Sequence, residues 1–165
     1  MISEVYRGER TWDSDLPRNL VVCCSDGRFQ QEVDGFLTGH LGIARYDRLY
    51  VPGGAGAMVA SGIEFTRAHS LRKECEFLVT AHGIEQIIML FHGPSTDGPD
   101  EAICGDYRRI MPTSSAKDIR RRQEQDALEI LQERIWKNVA VRVYRCEVTS
   151  DRAVQFVLRG GREKK

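Results

Sequence analysis

The sequence is poor in the features that direct a chain to a membrane, a nucleic acid or an oxidising compartment. No apolar run approaches the length of a bilayer span, and the opening residues 1–7 lack the apolar core of a secretory signal. An excess of charge of either sign is missing. Lys plus Arg and Asp plus Glu number 24 each, so neither nucleic acid nor an anionic lipid surface is called for as a partner. Paired cysteines are missing too. Five, an odd number, do not suggest a secreted disulfide framework, and in a reducing compartment they are free thiols, core residues or metal ligands. There is no internal repeat. The glycine-rich segment Gly53–Ala57 lacks the Lys-Ser/Thr of a phosphate loop and the spacing of a full dinucleotide fingerprint, so its plain reading is a tight strand-to-helix turn. The expectation is a cytoplasmic chain forming one domain over residues 1–165.

What is present is an alternation of apolar runs and amphipathic stretches. Leu20–Cys23 reads as a buried strand, followed by a short helix or loop over 29–43 and a second strand near Arg48–Val51. From the glycine-rich turn an amphipathic helix is predicted over Met58–Ala81, closed by His82-Gly83. Gln86–Phe91 is a continuous apolar run, as expected of a parallel strand covered on both faces. A turn-rich loop over 93–103 precedes a second long helix, about Ser115–Lys137, with Ile119, Leu128, Leu131, Ile135 and Trp136 as its apolar stripe. Val139–Val148 and Ala153–Leu158 read as a strand and its hairpin partner at the sheet edge, and Gly160–Lys165 as a frayed tail. Strands alternating with helices predict an α/β fold, with a mainly parallel central sheet, flanking helices and a C-terminal edge strand.

The chemistry concentrates in Cys24-Ser25-Asp26-Gly27-Arg28. If the chain stays extended there, alternation points a thiol, a carboxylate and a guanidinium the same way. Cys23 and Cys24, as strand neighbours, face opposite sides, and the register with Asp26 favours Cys24 as the functional one. In a parallel sheet, functional groups collect beyond the carboxyl ends of the strands, and Cys24 and His92 each follow an apolar run. Cys104 can be brought beside them by the 93–103 loop. Cys24, His92 and Cys104 make three zinc ligands and leave a fourth position for water or for Asp26. Arg28 could hold Asp26 off the metal through a bidentate pair. Each residue also has a plainer reading: a histidine at a strand end is often structural, and a single cysteine is often core. Cys75 and Cys146 are read as core, the remaining histidines as surface or capping residues, and Arg120-Arg121-Arg122 as a solvated helix face.

The Cys-x-Asp-x-Arg segment resembles the signature of β-class carbonic anhydrases. The order of elements resembles that of the family's short members: signature strand, second strand, Ala-Gly turn, long helix, apolar strand ending in histidine, then Cys-Gly. The resemblance spans about residues 20–110. It implies Zn2+ held by Cys24, His92 and Cys104, and an Asp26–Arg28 dyad that opens and closes the fourth coordination position. It also implies a reaction, zinc-hydroxide attack on carbon dioxide to give bicarbonate. Gly54, Ala55 and Gly56 would line the substrate pocket near a subunit interface, in a homodimer or homotetramer.

Two departures from the family pattern stand out. The family spacing is His-x-x-Cys, whereas His92 and Cys104 are separated by an eleven-residue loop. The family's Arg-Asn-Ala-Gly aligns with Gly53-Gly54-Ala55-Gly56, so two side chains are gone. Three other functions therefore stand beside hydration. One is a non-catalytic zinc-binding relative with Asp26 as permanent ligand, and another is a hydrolase of a small heterocumulene such as carbon disulfide or carbonyl sulfide. The third is a metal-free domain whose glycine turn binds a phosphate or nucleotide.

Overall fold

In the structure, a computed structural model, residues 5–59, 64–133 and 138–164 are described. A five-stranded sheet has the order β2-β1-β3-β4-β5. Its strands are β1 (Asn19–Cys24), β2 (Asp47–Val51), β3 (Gln86–Pro94), β4 (Ala140–Val148) and β5 (Val154–Arg162). The first four run parallel, and β5 returns antiparallel to β4 through a hairpin. The predicted fold class is the one observed.

Alternation along the strands sorts the core into two layers. Leu20, Val22, Ile87, Met89, Val141 and Val143 pack on the face covered by α2 (Phe65–His82) and α4 (Ala116–Gln132). Val21, Cys23, Ile88 and Leu90 pack on the other, against Val33 of α1 (Gln30–Gly35) and Leu37. Cys23 and Cys24 fall in opposite layers, and Cys75 and Cys146 are core residues, as the sequence predicts.

Several boundaries differ from expectation. The 29–43 segment is α1 continued by a wide turn over Phe36–His40. The helix expected from Met58 is a 3-10 turn at Gly54–Met58, then Val59 in extended backbone, with α2 starting at Phe65; residues 60–63 lie outside the described residues. Gly83 adopts φ +64 and closes α2, as glycine at that position can. The strand expected to stop at Phe91 continues to Pro94, because β4 accompanies it with Pro94 opposite Val148. A helix not foreseen, α3 (Gly105–Ile110), follows Cys104. In α4, Leu128 is exposed instead of lying in the apolar stripe, and Ile135 and Trp136 lie outside the described residues. The tail expected to fray is strand through Arg162, since Arg142 and Val143 pair with Gly161 and Gly160.

The connections place the site. From β1 the chain moves outward to β2, then crosses back over β1 to β3. The β1 and β3 tips thus flank the point where the winding reverses, and a cleft forms there in open α/β sheets.

Candidate metal centre

Pairing of β1 with β3 ends at Val22 and Met89, and beyond it the two strands part. Gly54 occupies the fork. A Cβ there would lie 2.6 Å from Cys24 N and 2.7 Å from Leu90 O, and its φ of +55 also favours glycine. Gly53 (φ +87) is equally constrained, since a side chain would run into the Asp106 carboxylate. The missing side chains of this turn have a steric cause: the space they would need is filled by strand backbone and by Asp106.

Three donors meet at the strand tips. Cys24 ends β1, His92 lies near the end of β3, and Cys104 caps α3. All three are buried, and their ligand atoms lie within 4.8 Å of one another. Cys24 Sγ and Cys104 Sγ are 4.0 Å apart, close to the about 3.8 Å that two thiolates span on a tetrahedral zinc with bonds of about 2.3 Å. Neither ring nitrogen of His92 has a hydrogen-bond partner among the described residues, although both are buried. Orphaned buried nitrogens are costly and rare. Two thiols and an unpartnered imidazole are also the donor types zinc prefers. The residues therefore fit a zinc ion on geometry and chemistry together.

The thiols are electrostatically unequal. The facing Cys104 thiol, working against burial and helped by His92, pulls the Cys24 thiol down. Cys104 is pushed up by the same sulfur pair and by burial. Cys23, on the opposite face, is pushed by burial up to about 12 and is inert. The Phe29 ring, centred 4.4 Å from the His92 ring, backs the imidazole.

Asp26 and Arg28 sit at the mouth by a different route from the one predicted. The backbone does not stay extended: Asp26 caps a 3-10 turn, Gly27–Phe29, by accepting from Arg28 N at 3.1 Å. Arg28 folds back and grips both carboxylate oxygens, with Nη2 to Oδ2 at 2.6 Å and Nε to Oδ1 at 3.0 Å. That grip, opposed by burial, holds the Asp26 carboxyl below the usual range. Asp26 Oδ2 is 4.0 Å from His92 Nε2, which puts the carboxylate within reach of the three donors. Arg28 Nη1 donates to Glu101 O at 2.8 Å, so the long loop, anchored by Ser95 N to Val148 O, returns Cys104 and also steadies the dyad.

The centre opens into a depression of about 730 Å³ lined by Cys24, Asp26, Glu64, Arg67, Asp106 and Arg109 among others. Arg67 and Arg109 each bond both Glu64 and Asp106, forming a closed ring of alternating charge. Sequence reading missed this ring, whose members come from two segments remote in sequence, the start of α2 and α3. Gly54, Ala55 and Gly56, expected in the pocket wall, are not among the described residues lining it. Gly54 and Ala55 are buried, and Gly56 backs onto Tyr107. The triple-arginine run is only partly solvated: Arg121 is exposed, but Arg122 pairs with buried Asp126 and Arg120 with buried Glu147. His82, read as a capping residue, bonds Asp47 at 2.6 Å. No helix among the described residues is long and apolar enough to cross a membrane.

No family model and no curated protein matches the sequence. Solved structures do. The β-carbonic anhydrase CcaA superposes with a TM-score of 0.51 at 14% identity, over 91% of this chain and 81% of that one. A tetrameric β-carbonic anhydrase from the filamentous ascomycete Sordaria macrospora gives a TM-score of 0.49 at 12% identity, over 90% and 83%. An isoform from Trichomonas vaginalis gives 0.44 at 14% identity, over 91% and 88%. Carried by the likeness to CcaA, the conclusion concerns architecture: this chain has the fold of the β-carbonic anhydrases.

Proposed function

We propose that the chain is a zinc-dependent carbonic anhydrase, hydrating carbon dioxide reversibly to bicarbonate, with Cys24, His92 and Cys104 as ligands. The observation that carries this reading is the meeting of three buried donors with a carboxylate–guanidinium pair at their open side. Zinc held by these residues would act as a Lewis acid that brings the pKa of water to about 7, the chemistry hydration requires. The chain's own residues do the rest. Arg28 engages both Asp26 oxygens, a pairing that would keep the carboxylate from becoming a fourth ligand. Asp26, held ionised by Arg28 and lying 4.0 Å from His92 Nε2, would accept a hydrogen bond from a water at the open side of the donors and so orient it. Phe29 packs against the His92 ring and shields that side of the imidazole from water. A closed, non-catalytic site would need Asp26 as fourth ligand, and the hold of Arg28 on both its oxygens favours the open one.

We also propose that the catalytic unit is the single domain, working in the cytoplasm as a homodimer or homotetramer. Apolar residues standing free on the N-terminal arm, Val5, Tyr6 and Trp12, support an assembled form.

The test is zinc content by elemental analysis on the same sample used for stopped-flow hydration. Stoichiometric zinc with rapid hydration supports the reading, and Cys24→Ser should then lose most of the metal. Zinc without hydration moves the assignment to another heterocumulene or to a binding role. Full metal retention in Cys24→Ser would overturn the ligand set.

A further inference from the structure

Behind the centre lies a buried polar assembly that hydration chemistry does not itself require. We infer that Gln123 of α4 and Arg145 of β4 are positioning residues that set the place of His92. The inference rests on the reading of His92 as a metal ligand.

Past Met89, β3 has only β4 as a strand neighbour, so its final residues depend on one ladder and on whatever α4 supplies. What α4 supplies is Gln123. Its Nε2 donates to His92 O at 3.0 Å, and its Oε1 accepts from Arg145 Nε at 3.0 Å. A guanidinium can only donate, so Arg145 fixes which end of the amide is oxygen, and the NH2 end is thereby aimed at the His92 carbonyl. Arg145 Nη1 also donates to Pro94 O at 2.8 Å. The carbonyls on both sides of Gly93 are thus held from one direction. Gly93 itself makes the grip sterically available, since a Cβ there would lie 2.6 Å from Arg145 Nη2.

The assembly is anchored in turn. Glu147 Oε1 accepts from Arg145 Nη1 at 2.8 Å and lies 2.9 Å from Arg120 Nη2 and 2.7 Å from Arg159 Nη2. Gln123, Arg145 and Glu147 are each no more than 2% exposed. Arg145 occupies a position where alternation with Val141 and Val143 calls for an aliphatic side chain. Desolvating a guanidinium there is a costly way to build a sheet, and an apolar residue would often serve the fold as well or better. What the polar choice adds is a fixed height and rotation for the end of β3. A ligand displaced by a fraction of an ångström spoils the metal geometry, and outer-shell partners are worth about 10- to 100-fold in affinity or activity.

The experiment follows transfer of zinc from the full chain to a chromophoric chelator, together with the visible spectrum of the cobalt-loaded protein. The samples are the wild type, Gln123→Glu, Gln123→Leu and, as control, Ile130→Ala. Gln123→Glu keeps the volume and the bond from Arg145 but cannot donate to His92 O. Ile130, on the same helix and fully buried, makes no bond to β3, so its truncation weakens the fold without touching the grip. Both Gln123 variants are expected to release zinc about 10- to 100-fold faster, with displaced cobalt bands. Ile130→Ala should unfold at lower denaturant yet keep the wild-type release rate and spectrum. Wild-type release and spectrum in Gln123→Glu, or an equal change in Ile130→Ala, would overturn the inference while leaving the zinc reading intact. A wild-type chain that takes up neither metal would overturn the zinc reading first and this inference with it.

Discussion

One guanidinium holds the whole of one carboxylate: Arg28 reaches Oδ2 of Asp26 through Nη2 at 2.6 Å and Oδ1 through Nε at 3.0 Å. The pair spans only two positions, with Asp26 on the side of His92 and Arg28 holding its charge from the other. Arg28→Ala should let Asp26 turn onto the metal and close the fourth position. The expected result is a loss of turnover on the order of 10²-fold, with zinc content unchanged. X-ray absorption on the variant should show an extra carboxylate oxygen bound to the zinc, and wild-type turnover would exclude the gating role.

The long loop should share in that control, since its Glu101 carbonyl holds the other end of Arg28. Gly98 sits where a Cβ would overlap Val148 O and crowd Ser95 N, breaking the bond that anchors the loop to β4. Gly98→Ala should cost about 1–3 kcal/mol and reproduce the Arg28→Ala phenotype at smaller amplitude. Urea unfolding and hydration assays on the two variants and their double mutant check this. An additive double mutant would mean that the loop acts independently of Arg28.

Gly54→Ala should damage fold and site together. Its Cβ would press on Cys24 N and Leu90 O at 2.6 and 2.7 Å, in a left-handed conformation. Strain and overpacking together should cost about 3 kcal/mol and lower the zinc content of the purified protein. A variant of native stability with full zinc would show that the fork can open freely.

Acid should act through Glu147. Burial alone would raise its carboxyl, but bonds from Arg145 and Gln155, with the charge of Arg120, hold it below the usual range. A folded pKa below the unfolded one contributes stability that is complete above the unfolded value of about 4.5 and is lost as pH falls through the folded one. Unfolding free energy should therefore be level near neutrality and decline below about pH 4.5. Glu147→Gln leaves buried guanidinium charge uncompensated, at about 3–5 kcal/mol, and should lack that part of the acid slope. Urea titrations of both proteins across this range decide it.

Much of the centre was legible in the sequence because its residues sit at pattern breaks. Cys24 ends one apolar run and His92 follows another, so strand-tip logic brings these two together, while Cys104 had to be supplied by the 93–103 loop and by the family resemblance. The bend after Cys24 was not legible, because whether Asp26 continues a strand or caps a turn depends on the turn closed by Phe29 behind His92. Gln123 and Arg145 were invisible for a related reason. Periodicity assigns burial to apolar side chains, whereas a buried glutamine or arginine is recognisable only once its partners, remote in sequence, are known. The ring of Glu64, Arg67, Asp106 and Arg109 escaped likewise, since each member alone reads as ordinary surface charge.

The two sulfurs that meet at 4.0 Å belong to residues 80 positions apart. An ion shared between them is therefore also a cross-link, spanning most of the sheet's assembly, from its first strand to the helix cap beyond β3. Closing so long a loop in the folded state alone couples loading to folding, so that affinity for the ion appears as resistance to heat. Chain synthesised under metal starvation should accumulate as a thermolabile pool that hardens when the ion arrives. The cell's supply of the ion would then govern how long each copy survives, independently of how fast it turns over substrate.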